Sequence, residues 1–334
     1  MFGQFKKLGD MEKVKNLLSK YPLLGSVIFL LVSAAYFTLK SPTNRSGKNI
    51  FISWDNCVSI LQSSAGISIG GFAMTLVLVS GGLDLSAGAT IGLTGAVAGH
   101  LMYFEHMTWY VAFIAALLTG VLVGVMNSIL IVELKLPPFL ATLGMAGILT
   151  GLAYLISTGS LIPIKDPTFL SIFGYKRVAG FPVLGVWTML FLAFFYVVIR
   201  RTKLGRRAQA VGGNEITAVN SGVNIRQVKY TAYCLMGMAA AIVSMTIGGR
   251  LQSAIPTNGS GYELQFIIAA VLGGTGFAGT GGNVFGTLLG SLVLAVFSNG
   301  LNLLGINSYL IQILQGIVII AAIVSAFAFS KKKT

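Results

Sequence analysis

Apolar residues run along this chain in blocks of about twenty, closed by glycines, prolines or charges, the length a helix needs to cross the hydrocarbon of a bilayer. Ten blocks read as spans: residues 21–39, 57–79, 85–104, 109–132, 138–157, 182–199, 228–249, 262–275, 283–303 and 307–329. The eighth is the shortest. The pattern predicts an all-α polytopic membrane protein in which residues 1–334 form a single transmembrane domain. Three polar segments punctuate it, an N-terminal segment at 1–20, a loop at 200–227 and a tail at 330–334.

Composition agrees, since 55% hydrophobic and 10% charged residues leave too little polar surface to cover a soluble globule. A net charge of +14 would point to nucleic acid in a soluble chain, but here Lys and Arg flank the apolar blocks as orientation signals do. Lys6, Lys7, Lys13, Lys15 and Lys20, then Arg200, Arg201, Lys203, Arg206, Arg207, Arg226 and Lys229, then Lys331, Lys332 and Lys333 fall on one side of a ten-span chain. That is 15 of 23 basic residues, which places both termini in the cytoplasm. Lys135 joins them, while Lys40, Arg45, Lys48, Lys165, Lys176, Arg177 and Arg250 lie opposite. The first block, with its basic start and Ser33-Ala34-Ala35, resembles a signal peptide but is too long for one, and is read as a retained anchor.

Several chemistries lack their residues. Cys57 and Cys234 sit in apolar runs and share no ligand spacing with each other or with His100 and His106, so no metal site is expected. A phosphate-binding Gly-x-x-x-x-Gly-Lys-Ser/Thr is absent, and Gly274-Thr275-Gly276-Phe277-Ala278-Gly279 follows a membrane run, which makes it a tight interhelical loop. No nucleophile, base and orienter cluster along the chain, so it is read as no enzyme and as binding no cofactor of its own. Nor does an intramembrane relay of acids and histidines appear, so an ion gradient has no evident carrier.

The few polar residues within the blocks therefore stand out. Asp84 and Glu263 sit at predicted helix starts beside glycines, where free amides and the helix dipole favour a carboxylate. Contact with substrate or a gate is the alternative. Gln62, Asn127, Asn299 and Asn302 are uncharged groups able to line a route for a polyhydroxylated solute or to bond between helices.

A weak internal echo joins the halves. Gly82-Leu83-Asp84-Leu85 answers to Gly261-Tyr262-Glu263-Leu264, Thr119-Gly120-Val121-Leu122-Val123-Gly124 to Gly286-Thr287-Leu288-Leu289-Gly290, and Pro138 to Thr142 to Ser308 to Gln312. An offset of five spans is odd, which would invert one half against the other, a transporter signature. In the loop at 200–227, Gly212-Gly213 is expected to break a basic helix end, with Asn214 capping and Glu215 opening a short helix that ends near Ser221-Gly222. Such a helix, lying against the cytoplasmic face, is a handle for a soluble motor or an interfacial linker.

Ser80-Gly81-Gly82-Leu83-Asp84-Leu85-Ser86-Ala87-Gly88, Leu136-Pro137-Pro138-Phe139-Leu140-Ala141-Thr142-Leu143-Gly144, and Gly212-Gly213-Asn214-Glu215 followed by Ser221-Gly222-Val223 resemble the membrane permeases of ribose-type ABC importers. Gly261-Tyr262-Glu263-Leu264 with Leu272-Gly273-Gly274-Thr275, and Asn299-Gly300-Leu301-Asn302-Leu303-Leu304-Gly305, are similar too, in the family's order from about residue 55 to 328.

The resemblance implies the vitamin-B12-importer-like (type II) fold of about ten helices with inverted halves. It implies a second permease copy, two cytoplasmic ATPase subunits that hold ATP and magnesium, and a periplasmic or lipid-anchored sugar-binding protein, in the bacterial inner membrane. Gly213 to Gly222 would be the coupling helix, with Gly212, Gly213, Asn214, Glu215, Ala218, Ser221 and Gly222 contacting the ATPase. Asp84, Ser86, Asn127, Glu263, Gln265, Phe266, Asn299 and Asn302 would be candidates for the pathway or gate. Gln265-Phe266 departs from the family's usual Asp-Ala, which bears on pore lining. The substrate expected is ribose or a similar pentose, with galactose, autoinducer-2 and nucleosides as alternatives. An ion-coupled secondary sugar carrier, and then a channel or scaffold, are the readings from other classes.

Overall fold

The computed structural model describes residues 23–44, 46–276 and 281–317. The N-terminal segment 1–20, the tail 330–334 and part of the glycine motif at 274–279 lie outside these residues.

In chain order the helices are α1 (Leu24–Lys40), α2 (Trp54–Val79), α3 (Ala87–Tyr103), α4 (Trp109–Ser128), α5 (Pro138–Ser157), α6 (Pro167–Phe173) and α7 (Val183–Tyr196). Then come α8 (Lys203–Gly213), α9 (Glu215–Asn220), α10 (Ile225–Leu251), α11 (Tyr262–Leu272) and α12 (Val284–Leu303), and residues 308–317 are helical. Wide π-type turns, Ile129–Glu133 and Val197–Arg201, extend α4 and α7. Two short antiparallel pairs complete the picture, β1 (Ile162–Pro163) with β4 (Ser253–Ala254) and β2 (Arg177–Val178) with β3 (Phe181–Pro182).

Among the described residues each expected span falls on a helix, the tenth as far as residue 317, but the helices are not alike. Among the described residues six are long and apolar enough to cross a membrane, namely α2, extended α4, α5, extended α7, α10 and α12. The shorter α1 and α11 are apolar helices too. The structure also moves one boundary: α8 runs through Gly212 and Gly213, and the break falls at Asn214, whose φ of −158° and ψ of 108° are extended.

The long helices α2 and α10 form the centre and bury the largest share of their length, whereas α5 leaves most of its surface open. Phe72, Met74 and Leu76 of α2 and Met236 of α10 share one core with Phe266 of α11. Because lipid is as apolar as these side chains, such helices associate through close approach and interhelical hydrogen bonds. Both devices are present. At Gly120 and Gly237 a side chain would collide with the facing backbone, so α4 and α10 touch main chain to main chain. Between α2 and α12 the contact is a hydroxyl ladder, Ser68 Oγ to Ser291 Oγ at 2.5 Å and Thr75 Oγ1 to Thr287 Oγ1 at 2.7 Å.

Two helices begin in the interior. Tyr262, the first residue of α11, lies beside Gly66 at the middle of α2, and the loop after α11 passes Val79 at the end of α2. At 1.5 Å per residue those levels are about 20 Å apart. The segment leading into α11 descends along α3, with Ala254 beside Gly99, Pro256 beside Gly92 and Gly259 beside Gly88. The carboxylate of Glu263 also lies against Gly88. α3 and α11 therefore start next to each other and run in opposite directions, each preceded by non-helical chain.

The echoed tetrapeptides fall at these two starts, though not in the same register. Gly261-Tyr262-Glu263-Leu264 opens α11 itself, while Gly82-Leu83-Asp84-Leu85 precedes α3. The second echo does not extend to packing, because Gly120 and Gly124 face α10 whereas Gly286 and Gly290 face α11 and the loop after it.

Candidate coupling segment and buried polar cluster

The loop between α7 and α10 is built from local capping rules. Thr202 caps α8 through its side chain, and Asn214 Oδ1 accepts from the Thr217 amide at 2.9 Å to cap α9. Glu215 occupies the first turn, where the helix dipole favours an acid. At the other end Gly222, with φ of +77°, sends its amide to Val219 at 2.8 Å while Val223 reaches Ala218 at 3.0 Å. This pair of hydrogen bonds satisfies carbonyls of the last turn and requires a left-handed residue, a role glycine takes without strain.

α9 thus presents a sharply bounded face. Gly213, Asn214, Glu215, Ser221 and Gly222 are exposed and Gly212 is half-buried. Ala218 differs: it is buried and belongs to the protein's own core. The outward apolar residues of α9 are Ile216 and Val219, 76% and 51% exposed, which the sequence reading did not single out. Their spacing of three places both on one helix face.

A salt bridge ties α9 to α10, with Lys229 Nζ donating to Glu215 Oε2 at 2.7 Å. Lys229 is itself buried. Arg226 pairs with Glu133 at the end of α4, and Tyr230 Oη donates to the same carboxylate at 3.0 Å. Arg226 and Tyr230 are four apart, as are Lys229 and Tyr233, so each pair lines one face of α10. Polar side chains at that spacing in the first turns of an apolar helix were a readable signal that the sequence analysis passed over.

The chain from Ser80 to Ser86 forms a strap between α2 and α3. Asp84 is buried, and its Oδ1 accepts from the Ser86 amide at 2.8 Å and from Ser86 Oγ at 2.6 Å. Asn127 Nδ2 in turn donates to Ser86 Oγ at 2.8 Å. Among the described residues Asn127 Oδ1 is buried without a partner. The Leu85 amide donates to Thr142 Oγ1 at 3.1 Å, and Tyr233 Oη both donates to the Leu83 carbonyl at 3.1 Å and accepts from its amide at 3.3 Å. Asp84, Ser86 and Asn127 are therefore one cluster, and Glu263 stands beside the α3 start that follows it.

The remaining candidates lie elsewhere. Phe266 is fully buried over Gly70, where its ring occupies the space a side chain would need, so its bulk serves the α2–α11 contact. Asn299 exchanges two hydrogen bonds with Asn56, at 3.0 and 2.9 Å, joining α12 to α2. Gln62 offers its backbone carbonyl to Arg250. Gln265 is half-buried and Asn302 exposed.

Membrane-crossing helices, helices that start in the interior, and a short capped helix between two of them define a transport permease architecture. The chain belongs to the family described as branched-chain amino acid transport system / permease component, which matches residues 56–323. Particular relatives narrow this. The ribose import permease protein RbsC of Escherichia coli strain K12 is 38% identical over 303 residues, 89% of this chain and 91% of that one. The protein of the same name from Bacillus subtilis is 34% identical, covering 90% and 91%, and the fructose import permease protein FrcC of Rhizobium meliloti is 32% identical, covering 94% and 87%. The chain is accordingly a ribose-type ABC importer permease, a transporter subunit and not an enzyme. A solved chain from a metal-chelate type ABC transporter aligns at TM-score 0.49 and 16% identity over 84% of this chain and 90% of that one, a likeness too weak to fix the fold.

Proposed function

We infer that this chain, paired with a second copy, forms the path by which ribose or a similar pentose crosses the bacterial inner membrane, delivered by a soluble binding protein and driven by two ATPase subunits. The observation that carries the reading is near-complete alignment with proteins named as ribose import permeases. Relatives named for fructose and for D-allose make these sugars the second reading. ATP and magnesium belong to the partner subunits, with no cofactor held by this chain and no nucleic acid among its partners.

In this reading the chain has about ten spans in the vitamin-B12-importer-like arrangement with inverted halves, and both termini are cytoplasmic. Support comes from the positions of charge along the sequence and from the opposed starts of α3 and α11. α9 is the docking element: its ends are capped, its acid is tied to α10, and Ile216 and Val219 face outward. Asp84, Ser86, Asn127 and Glu263 are the pathway candidates that the fold gathers, while Asn299 and Phe266 are better read as packing.

The test is purification with its ATPase and binding-protein partners, followed by mass determination and sugar uptake in vesicles. Two permease copies with two ATPase copies, and ribose uptake that needs ATP, are expected. Uptake that collapses with an ionophore and needs no ATPase would replace this reading with a secondary carrier. Preference for fructose or allose over ribose would keep the importer and change its substrate.

A further inference from the structure

The polar contacts around the strap form a connected bracket. Lys229 joins α9 to the base of α10, Arg226 and Tyr230 join that base to the end of α4, Asn127 joins α4 to Ser86, and Tyr233 joins α10 to Leu83. α8 meets the strap directly: a Cβ on Gly81 would stand 3.3 Å from the Cα of Gly212, one residue before the exposed Gly213. So the strap touches the proposed docking segment at one end and delivers the interior start of α3 at the other.

The grip on Leu83 is unusual in what it does. A non-helical strap has no ladder of its own, and its buried amides and carbonyls need partners from elsewhere. One fully buried hydroxyl, that of Tyr233, serves both the amide and the carbonyl of Leu83. Gly82 makes the approach possible, because a Cβ there would lie 2.7 Å from Tyr233 Oη. The strap is thereby fastened to α10 less than two turns beyond Lys229, whose partner is on α9.

We propose that Tyr233 is a positioning residue for coupling, which fastens the Ser80 to Ser86 strap to α10 so that movement of the docking segment carries through to the interior start of α3. This rests on the reading of α9 as the ATPase-docking element. A rigid linkage suits the task, since packed elements move between discrete arrangements and a loose strap would absorb the displacement.

Tyr233→Phe keeps the ring and removes the hydroxyl, leaving both polar groups of Leu83 without that partner. Gly82→Ala attacks the same grip from the strap's side. Each variant is assembled with its ATPase and binding protein in proteoliposomes, and uptake is read with whichever radiolabelled sugar among ribose, fructose and allose the unsubstituted complex takes up fastest. Both variants should assemble and hydrolyse ATP within about twofold of the unsubstituted complex while sugar moved per ATP falls roughly tenfold, the scale of about one part-buried group losing its partner. Sugar per ATP unchanged in either assembled variant overturns the proposal.

Hydrogen exchange on the unsubstituted complex gives a reading that no folding defect can disturb. With trapped nucleotide, amides of residues 81–86 should change their exchange together with those of α9, and an unchanged strap overturns the proposal. If the unsubstituted chain binds no ATPase subunit, the docking reading falls and the proposal with it. A complex that assembles and transports with normal coupling in both variants removes the proposal alone.

Discussion

Asp84 shows how much one side chain can hold. Its single oxygen accepts from both the amide and the hydroxyl of Ser86, and the hydroxyl accepts in turn from Asn127. Replacing it by alanine strands a buried amide and hydroxyl, which costs about 1–3 kcal/mol, whereas Asp84→Asn keeps an acceptor and should cost less. Thermal unfolding in detergent checks the order. Equal melting of the two variants would mean that the charge, not the acceptor, matters. The sequence alone marked Asp84 as a helix-start acid; in the structure it holds Ser86 within the strap, and α3 begins at Ala87 with no side-chain cap. The sequence did not show Tyr233 gripping the neighbouring Leu83, because those two partners are 150 positions apart along the chain. Ala218 is the opposite case: read as a docking residue from its place in a motif, it is turned inward by the helical period of α9.

At the level of elements, α4 and α10 meet through glycine. At Gly237 a Cβ would run into the backbone carbonyl of Gly120, and neither main chain can step aside without parting the helices. Gly237→Val should therefore lower stability by about 1–3 kcal/mol or more, as overpacking does, while Gly147→Val on α5, where the space is open, should leave the melting point nearly unchanged. Similar melting of the two would contradict the close approach. The glycines themselves were plain in the sequence. Which of them face a neighbour was not, since Gly144, Gly147 and Gly151 look much the same in the text and have open space above them. α9 was legible almost to the residue, since caps and the glycine stop are local rules; its α8 boundary was misplaced by two glycines that a helix end tolerates.

Across the whole molecule, the end of α6 and the α8–α9 segment lie at opposite ends of α10, as Phe173 beside Gly249 and Glu215 on Lys229 show. In a background without Cys57 and Cys234, single cysteines at Gly213 and Lys176 should be labelled by impermeant reagent from opposite sides of intact vesicles. Labelling of both from one side would refute the span order between them. The sequence by itself determined the class of protein, the apolar blocks and the caps of α9, because these depend on residue type and on neighbours within a turn or two. Only the tertiary structure decided that α3 and α11 start side by side in the interior, that Phe266 and Asn299 pack between helices, and that Asp84, Ser86, Asn127 and Tyr233 share one strap. Those facts arise from contacts between residues far apart in the chain, and helices that are apolar nearly all round carry little periodicity to announce which face meets which neighbour.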